Sequence, residues 1–144
     1  MEWLKDDFRI TTDSTEFNLN YIHQFLSHSY WAENIPLDTV KRSIEGSLSF
    51  GVFVNNQQIG FARVVTDHAT FAYLADVFID ESYRGQGLSK WLMEVILQHP
   101  SLQGLRRILL ATRDAHGLYA QFGFTALPEP QRWMQIHNPK VYSS

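Results

Sequence analysis

Asp76-Val77-Phe78-Ile79-Asp80-Glu81-Ser82-Tyr83-Arg84-Gly85-Gln86-Gly87-Leu88-Ser89 passes from a strand pattern through a glycine loop into a helix pattern. Val77, Phe78 and Ile79 form an apolar, strand-like run. Leu88 to Gln98 carries Leu88, Trp91, Leu92, Val95 and Ile96 at helical spacing, and His99-Pro100 ends it. Between the two, Gly85 and Gly87 can take positive φ and let a ligand approach the backbone, since no Cβ intervenes. Such a turn presents unpaired amide N–H groups at the positive end of a helix, an arrangement suited to a phosphate or pyrophosphate.

Outward from this segment, Phe71 to Ile79 is apolar on both faces, so it belongs in the middle of a sheet with layers on either side. Phe50 to Val54 and Ile59 to Val65 read as strands around a hairpin at Asn55-Asn56-Gln57-Gln58, with a second turn at Thr66-Asp67-His68. Phe8 to Thr12 reads as the first strand, and Asp13-Ser14-Thr15-Glu16 as a helix-start signal. A helix follows over Phe17 to Ser29, carrying Leu19, Ile22 and Leu26. Pro36 opens a second helix with a stripe of Leu37, Val40, Ile44 and Leu48, and Gly46 lies near its end. Downstream, Ile108 to Ala111 reads as a fully buried strand and Ala115 to Phe122 as a short helix stopped by Gly123. Phe124 to Ala126 and Trp133 to His137 read as two final strands. The order is β-α-α-β-β-β-α-β-α-β-β, a mixed sheet in which a meander precedes a βαβ crossover.

Composition narrows the function classes. The 144 residues suit a single domain over 1–144 with a true core. Apolar residues at 44% and charged residues at 19% describe an ordinary globular chain, and 14% aromatic residues supply core or cleft walls. A net charge of −3 without a basic stripe argues against nucleic-acid binding. The absence of cysteine removes disulfides, thiolate metal sites and a cysteine nucleophile, and fits a cytoplasmic location. The acidic first residues lack the apolar core of a signal peptide, and no apolar run is long enough to span a bilayer, so no membrane role is expected. His68 and His116 stand alone, without partners at metal-ligand spacing, so no metal is expected.

Element order then decides between glycine-loop folds. A dinucleotide fold would want a third glycine where Lys90 stands, and an acid about 20 residues on. A P-loop would want Gly-Lys-Ser or Gly-Lys-Thr after the loop. Neither is present. The chain instead resembles the GCN5-related N-acetyltransferase (GNAT) family on two motifs. The first is Arg84-Gly85-Gln86-Gly87-Leu88-Ser89, where the family has Arg or Gln, two residues, Gly, one residue, then Gly or Ala. The second is Thr112-Arg113-Asp114-Ala115-His116-Gly117-Leu118-Tyr119-Ala120-Gln121-Phe122-Gly123-Phe124, which is similar to the family's Asn-x-x-Ala-x-x-Leu-Tyr-x-x-x-Gly-Phe. Ser89 departs from the usual Gly or Ala, and Thr112 from the frequent Asn.

The resemblance implies an α/β (α+β) fold: a mixed, mostly antiparallel sheet flanked by helices and splayed between the fourth and fifth expected strands. It implies acetyl-CoA as co-substrate, with its pyrophosphate on Arg84, Gly85, Gln86, Gly87, Leu88 and Ser89. The pantetheine arm would run along Val77, Phe78 and Ile79, with Thr112 and Ala115 nearby and Tyr119 beside the sulfur as general acid. The activity implied is direct transfer of acetyl to a primary amine of a small molecule or peptide. A CoA-binding sensor without catalysis is the alternative, and longer acyl chains or a protein acceptor a third reading.

The residues themselves leave several roles open. A phenol is protonated at neutral pH, so Tyr119 can donate to a thiolate, or it can pack on the sheet and bond a carbonyl. Asp76 interrupts an apolar strand. It is either a base raised by desolvation or a structural carboxylate held by a bulge or by Arg63. Arg63 could equally bind a substrate carboxylate or point to solvent. His28, Tyr30, Trp31 and Glu33 lie between the early helices and either wall the acceptor pocket, suiting a cationic amine, or seal a loop. Arg106-Arg107 reads as a solvated edge or a contact to the CoA 3′-phosphate. An exposed strand edge near the C-terminus would allow pairing into a homodimer.

Overall fold

In the computed structural model, which describes residues 1–143, six strands form one sheet in chain order. They are β1 (Glu2–Lys5), β2 (Phe8–Thr11), β3 (Leu48–Val54), β4 (Gln57–Thr66), β5 (Phe71–Ile79) and β6 (Arg107–Leu110). Every neighbouring pair is antiparallel except β5 with β6, the βαβ unit. The helices are α1 (Leu19–Ser27), α2 (Leu37–Glu45), α3 (Leu88–Gln98) and α4 (His116–Ala120). The mixed, mostly antiparallel sheet expected from the sequence is therefore present.

Local chemistry accounts for the boundaries. Asn18 caps α1 by accepting the Tyr21 N–H at 3.0 Å. Pro36 precedes α2, whose Val40 and Ile44 are buried. Asn55 and Asn56 both adopt positive φ (49° and 63°), the pattern of a tight two-residue hairpin between β3 and β4. The two sheet faces are covered by different helices. Leu88, Trp91, Leu92, Val95 and Ile96 of α3 pack on Phe50, Val52, Ala62 and Leu74. On the other face Ile22 and Leu26 of α1 and Val40 and Ile44 of α2 pack on Phe61 and Phe78.

Strand β5 changes face along its length. Phe61 pairs with Phe78 but Arg63 pairs with Ala75, so β5 holds one extra residue opposite Ala62. Asp76 sits in this bulge with φ 55°. Because side chains alternate with period two, the insertion reverses every later residue. Ala72 and Leu74 face α3, whereas Phe78 faces α1 and α2. Strand β6 pairs only with Phe71 to Leu74, so Ala75 to Ile79 have no neighbour on that side. The expected splay lies here, where the bulge and the end of the β6 pairing coincide.

Five expectations are corrected. Phe8–Thr12 is the second strand, because Glu2–Lys5 pairs with it as β1. Leu48 opens β3 rather than extending α2, since Gly46 ends the helix. The first and last helices are shorter than expected, Leu19–Ser27 and His116–Ala120. Neither Phe124–Ala126 nor Trp133–His137 forms a strand among the described residues. Consequently Ile108–Ala111 is not fully buried: β6 is the sheet's edge, half-buried, with Arg107 and Ala111 exposed.

Candidate active site

Arg84, Gly85 and Gly87 of the loop and Leu88, Ser89 and Lys90 of the first turn of α3 line a cavity of about 290 Å³ with Ile79, Tyr83 and Leu118, whereas Gln86 is outside its lining. Gly85 and Gly87 have φ of +82° and +79°, a backbone that favours glycine, and no atom lies within 4 Å of where a Cβ would stand. The first intrahelical bond of α3 runs from the Trp91 N–H to the Gly87 carbonyl at 3.1 Å. The N–H groups of Leu88, Ser89 and Lys90 therefore have no helical acceptor, and they stand at the positive end of the helix dipole. This is an anion cradle made from backbone. Arg84 supports it, its Nε donating to the Ile79 carbonyl at 3.1 Å and folding the loop back on β5. Asp80 braces it from below, accepting from the Ser82 N–H at 3.0 Å and from the Tyr21 hydroxyl at 3.1 Å. Burial, followed by the charge of Asp80, pushes the Tyr21 phenol far above its ordinary value, so it stays a donor.

A second, larger cleft of about 630 Å³ opens beside α1, lined by Gln24, Phe25, His28, Ser29, Tyr30, Trp31 and Arg113. Phe25 stacks on Phe78 with centroids 3.8 Å apart, and Tyr30 meets Trp31 edge-on at 5.1 Å. The His28 Nδ1 bonds the Gln24 carbonyl at 2.7 Å, fixing the imidazole at the end of α1. Trp31 is tied to the bulge: its indole N–H donates to Asp76 Oδ1 at 2.8 Å. The other oxygen, Oδ2, accepts from Arg63 Nε at 2.8 Å, and Arg63 also donates to the Ser47 hydroxyl at 3.1 Å. This ion pair is largely buried, with side-chain exposures of 20% and 10%. Of the alternatives left open for Arg63 and Asp76, the geometry matches mutual pairing. Both carboxylate oxygens are engaged, and the cleft wall hangs from one of them.

The loop and helix after β6 touch both cavities. Arg113 lines the aromatic cleft, its guanidinium 3.9 Å above the Tyr30 ring. Leu118 lines the cradle. Tyr119, next in sequence, is buried and packs edge-on against Phe124 at 5.8 Å. Its hydroxyl makes no hydrogen bond among the described residues. Burial and then the neighbouring Tyr30 raise its pKa above the ordinary phenol value, so it is protonated at neutral pH. Thr112 is committed locally, its hydroxyl accepting the Ala115 N–H at 3.0 Å at the start of α4. Among the described residues no group of three or more His, Asp or Glu is placed to hold a metal ion.

The family profile described as "Acetyltransferase (GNAT) family" matches residues 2–124. The chain belongs to the GNAT acetyltransferase family. A crystal structure of a candidate GNAT acetyltransferase from Xanthomonas campestris is 50% identical, with a TM-score of 0.93 over 95% of this chain and 97% of that one. A candidate acetyltransferase of Gibberella zeae is 28% identical over 142 aligned residues, covering 83% of this chain and 79% of that protein. A candidate acetyltransferase from Clostridium acetobutylicum solved with acetyl-CoA shares the fold at a TM-score of 0.67 over 90% of this chain and 94% of that one, with 15% identity.

Within this GNAT chain the structure gathers Ile79, Arg84, Gly85, Gly87, Leu88 and Ser89 around one cavity, and His28, Tyr30 and Trp31 around the other. Glu33 is exposed and outside the cleft lining, and Arg63 is turned to Asp76. Sequence reasoning missed Gln24, Phe25, Ser29 and Arg113. Arg113 stands inside the second family motif, but its position against Tyr30 is a long-range contact with no local signal.

Proposed function

We propose that this chain transfers the acetyl group of acetyl-CoA to a primary amine by direct attack within a ternary complex. The observation that carries this reading is the double contact of residues 113–119. One short segment lines the anion cradle through Leu118 and the aromatic cleft through Arg113, and it carries the protonated phenol of Tyr119, which makes no hydrogen bond among the described residues. The pyrophosphate takes the N–H groups of Leu88, Ser89 and Lys90, and the pantetheine arm follows the unpaired edge of Val77 to Ile79. Free N–H groups on that edge can also meet the oxyanion. The neutral amine forms the N–C bond, the C–S bond breaks, and the thiolate takes the Tyr119 proton. The proton shed by nitrogen restores the phenol through solvent in the open cleft. Asp76 acts as a positioning residue that fixes Trp31 and Arg63.

The test is Tyr119→Phe. It should lower kcat about 10²-fold or more while leaving acetyl-CoA affinity unchanged. Wild-type turnover in that variant removes the general-acid role. Tight acetyl-CoA binding with no transfer to a broad amine panel replaces the enzyme reading with the sensor. The partner reading is a homodimer, supported by the free β6 edge and the exposed segment 131–140 beyond it.

A further inference from the structure

We propose that the amine acceptor carries a carboxylate, and that Arg113 reads it at the wall of the aromatic cleft. The inference rests on the acetyltransferase reading above and adds the chemical class of its second substrate. Arg113 is the one arginine or lysine among the cleft's lining residues, and no Asp or Glu stands with it. Its guanidinium carbon lies over the Tyr30 ring, 3.9 Å from the centroid. Stacking uses the face of the guanidinium and leaves its N–H edge available, which is how arginine presents a bidentate fork to a carboxylate. Arg113 makes no ion pair among the described residues, whereas Arg63, the nearest arginine in the network behind Trp31, is neutralised by Asp76. A single unpaired fork matches a monoanion. Exposed ring surface from Tyr30 and Trp31 shares the wall with Phe25 and the polar Gln24, His28 and Ser29, and the rings suit an apolar or aromatic body.

This reverses the expectation of a cationic-amine pocket. Glu33, the carboxylate meant to attract the cation, is outside the cleft, and Arg113 already occupies the Tyr30 face. Arg113 also does not line the cradle cavity, so its charge is separate from the phosphate-binding N–H groups.

The experiment is calorimetric titration of the wild-type chain and Arg113→Gln, each saturated with CoA, using phenylalanine, tyrosine and tryptophan against their primary amides. Acetyl-CoA binding and acetyl transfer are measured on the same preparations. The wild type should bind the best acid about tenfold or more tightly than its amide, the worth of a charge-assisted pair. In Arg113→Gln that ratio should fall toward one while acetyl-CoA affinity stays put. Equal binding of acid and amide by the wild type, an undiminished ratio in the variant, or no binding of either form overturns the proposal. Loss of acetyl-CoA affinity in Arg113→Gln overturns it too, by assigning the arginine to the cofactor. Failure of acetyl-CoA itself to bind or react counts against the acetyltransferase reading alone, because the acid-to-amide ratio is read without turnover.

Discussion

Asp67 accepts four hydrogen bonds at the β4–β5 turn: from the Thr70 hydroxyl at 2.6 Å and from the N–H groups of Thr70, Ala69 and Phe71 at 2.8, 3.0 and 3.2 Å. The Thr70 hydroxyl, then these amides, hold its carboxyl well below the usual carboxylate range. A group whose folded value is depressed gives stability that is present above its unfolded value, near pH 4, and lost as pH falls further. Asp67→Asn keeps an acceptor oxygen but removes the charge. It should lower Tm at neutral pH, and its Tm should fall less steeply than the wild type's below about pH 4. Parallel melting curves from circular dichroism down that range would remove Asp67 from the acid limb. At this scale the sequence was only partly legible. The oddity of Asp76 in an apolar strand was visible, and so was Arg63 as a candidate partner. The contact of Arg113 with Tyr30 was not, because it depends on how the loop after β6 and the loop after α1 meet in space.

Among the elements, the loop entering α3 was the most legible, because glycine spacing, the strand before it and the apolar stripe after it agree. Its two glycines adopt the left-handed backbone with open space beyond. Gly87→Glu would strain that backbone and add a like charge where a pyrophosphate would sit. It should abolish acetyl-CoA binding in a titration while the far-ultraviolet spectrum stays native. Retained binding would move the phosphate site elsewhere. Strand β1 was illegible because Glu2-Trp3-Leu4-Lys5 is mostly exposed and shows no alternation. The terminal strands failed for the opposite reason. Trp133-Met-Gln-Ile-His137 has the apolar content of a strand, but propensity alone does not align a segment with a sheet edge: Trp133 meets the Arg107 guanidinium of β6, 4.9 Å from its ring centroid, without joining the ladder.

For the whole molecule, that same segment is the largest mismatch between sequence and surroundings. Met134 is 96% exposed and Ile136 105%, beside a sheet edge with one neighbour. A second copy offers both halves of the missing pairing, an apolar segment and a free β6 edge, so a twofold exchange closes on itself. Light scattering behind size exclusion should return a dimer at micromolar concentration. Met134→Lys combined with Ile136→Lys should return a monomer with a native spectrum. A monomeric wild type would end the homodimer reading. No helix among the described residues is long and apolar enough to cross a membrane.

The two cavities are built of different materials. The cradle depends on main-chain N–H groups and on two glycine φ values, so its geometry is set chiefly at Gly85 and Gly87. The aromatic cleft is made of side chains on α1, the loop after it and a single arginine, and those can change without altering any backbone angle in the cradle. On the proposed reading the chain is therefore free to change its acceptor through those side chains while the cradle keeps its acetyl donor. The tether from Trp31 to Asp76 marks where that freedom stops, since a new residue there would disturb the bulge that sets the register of the donor strand.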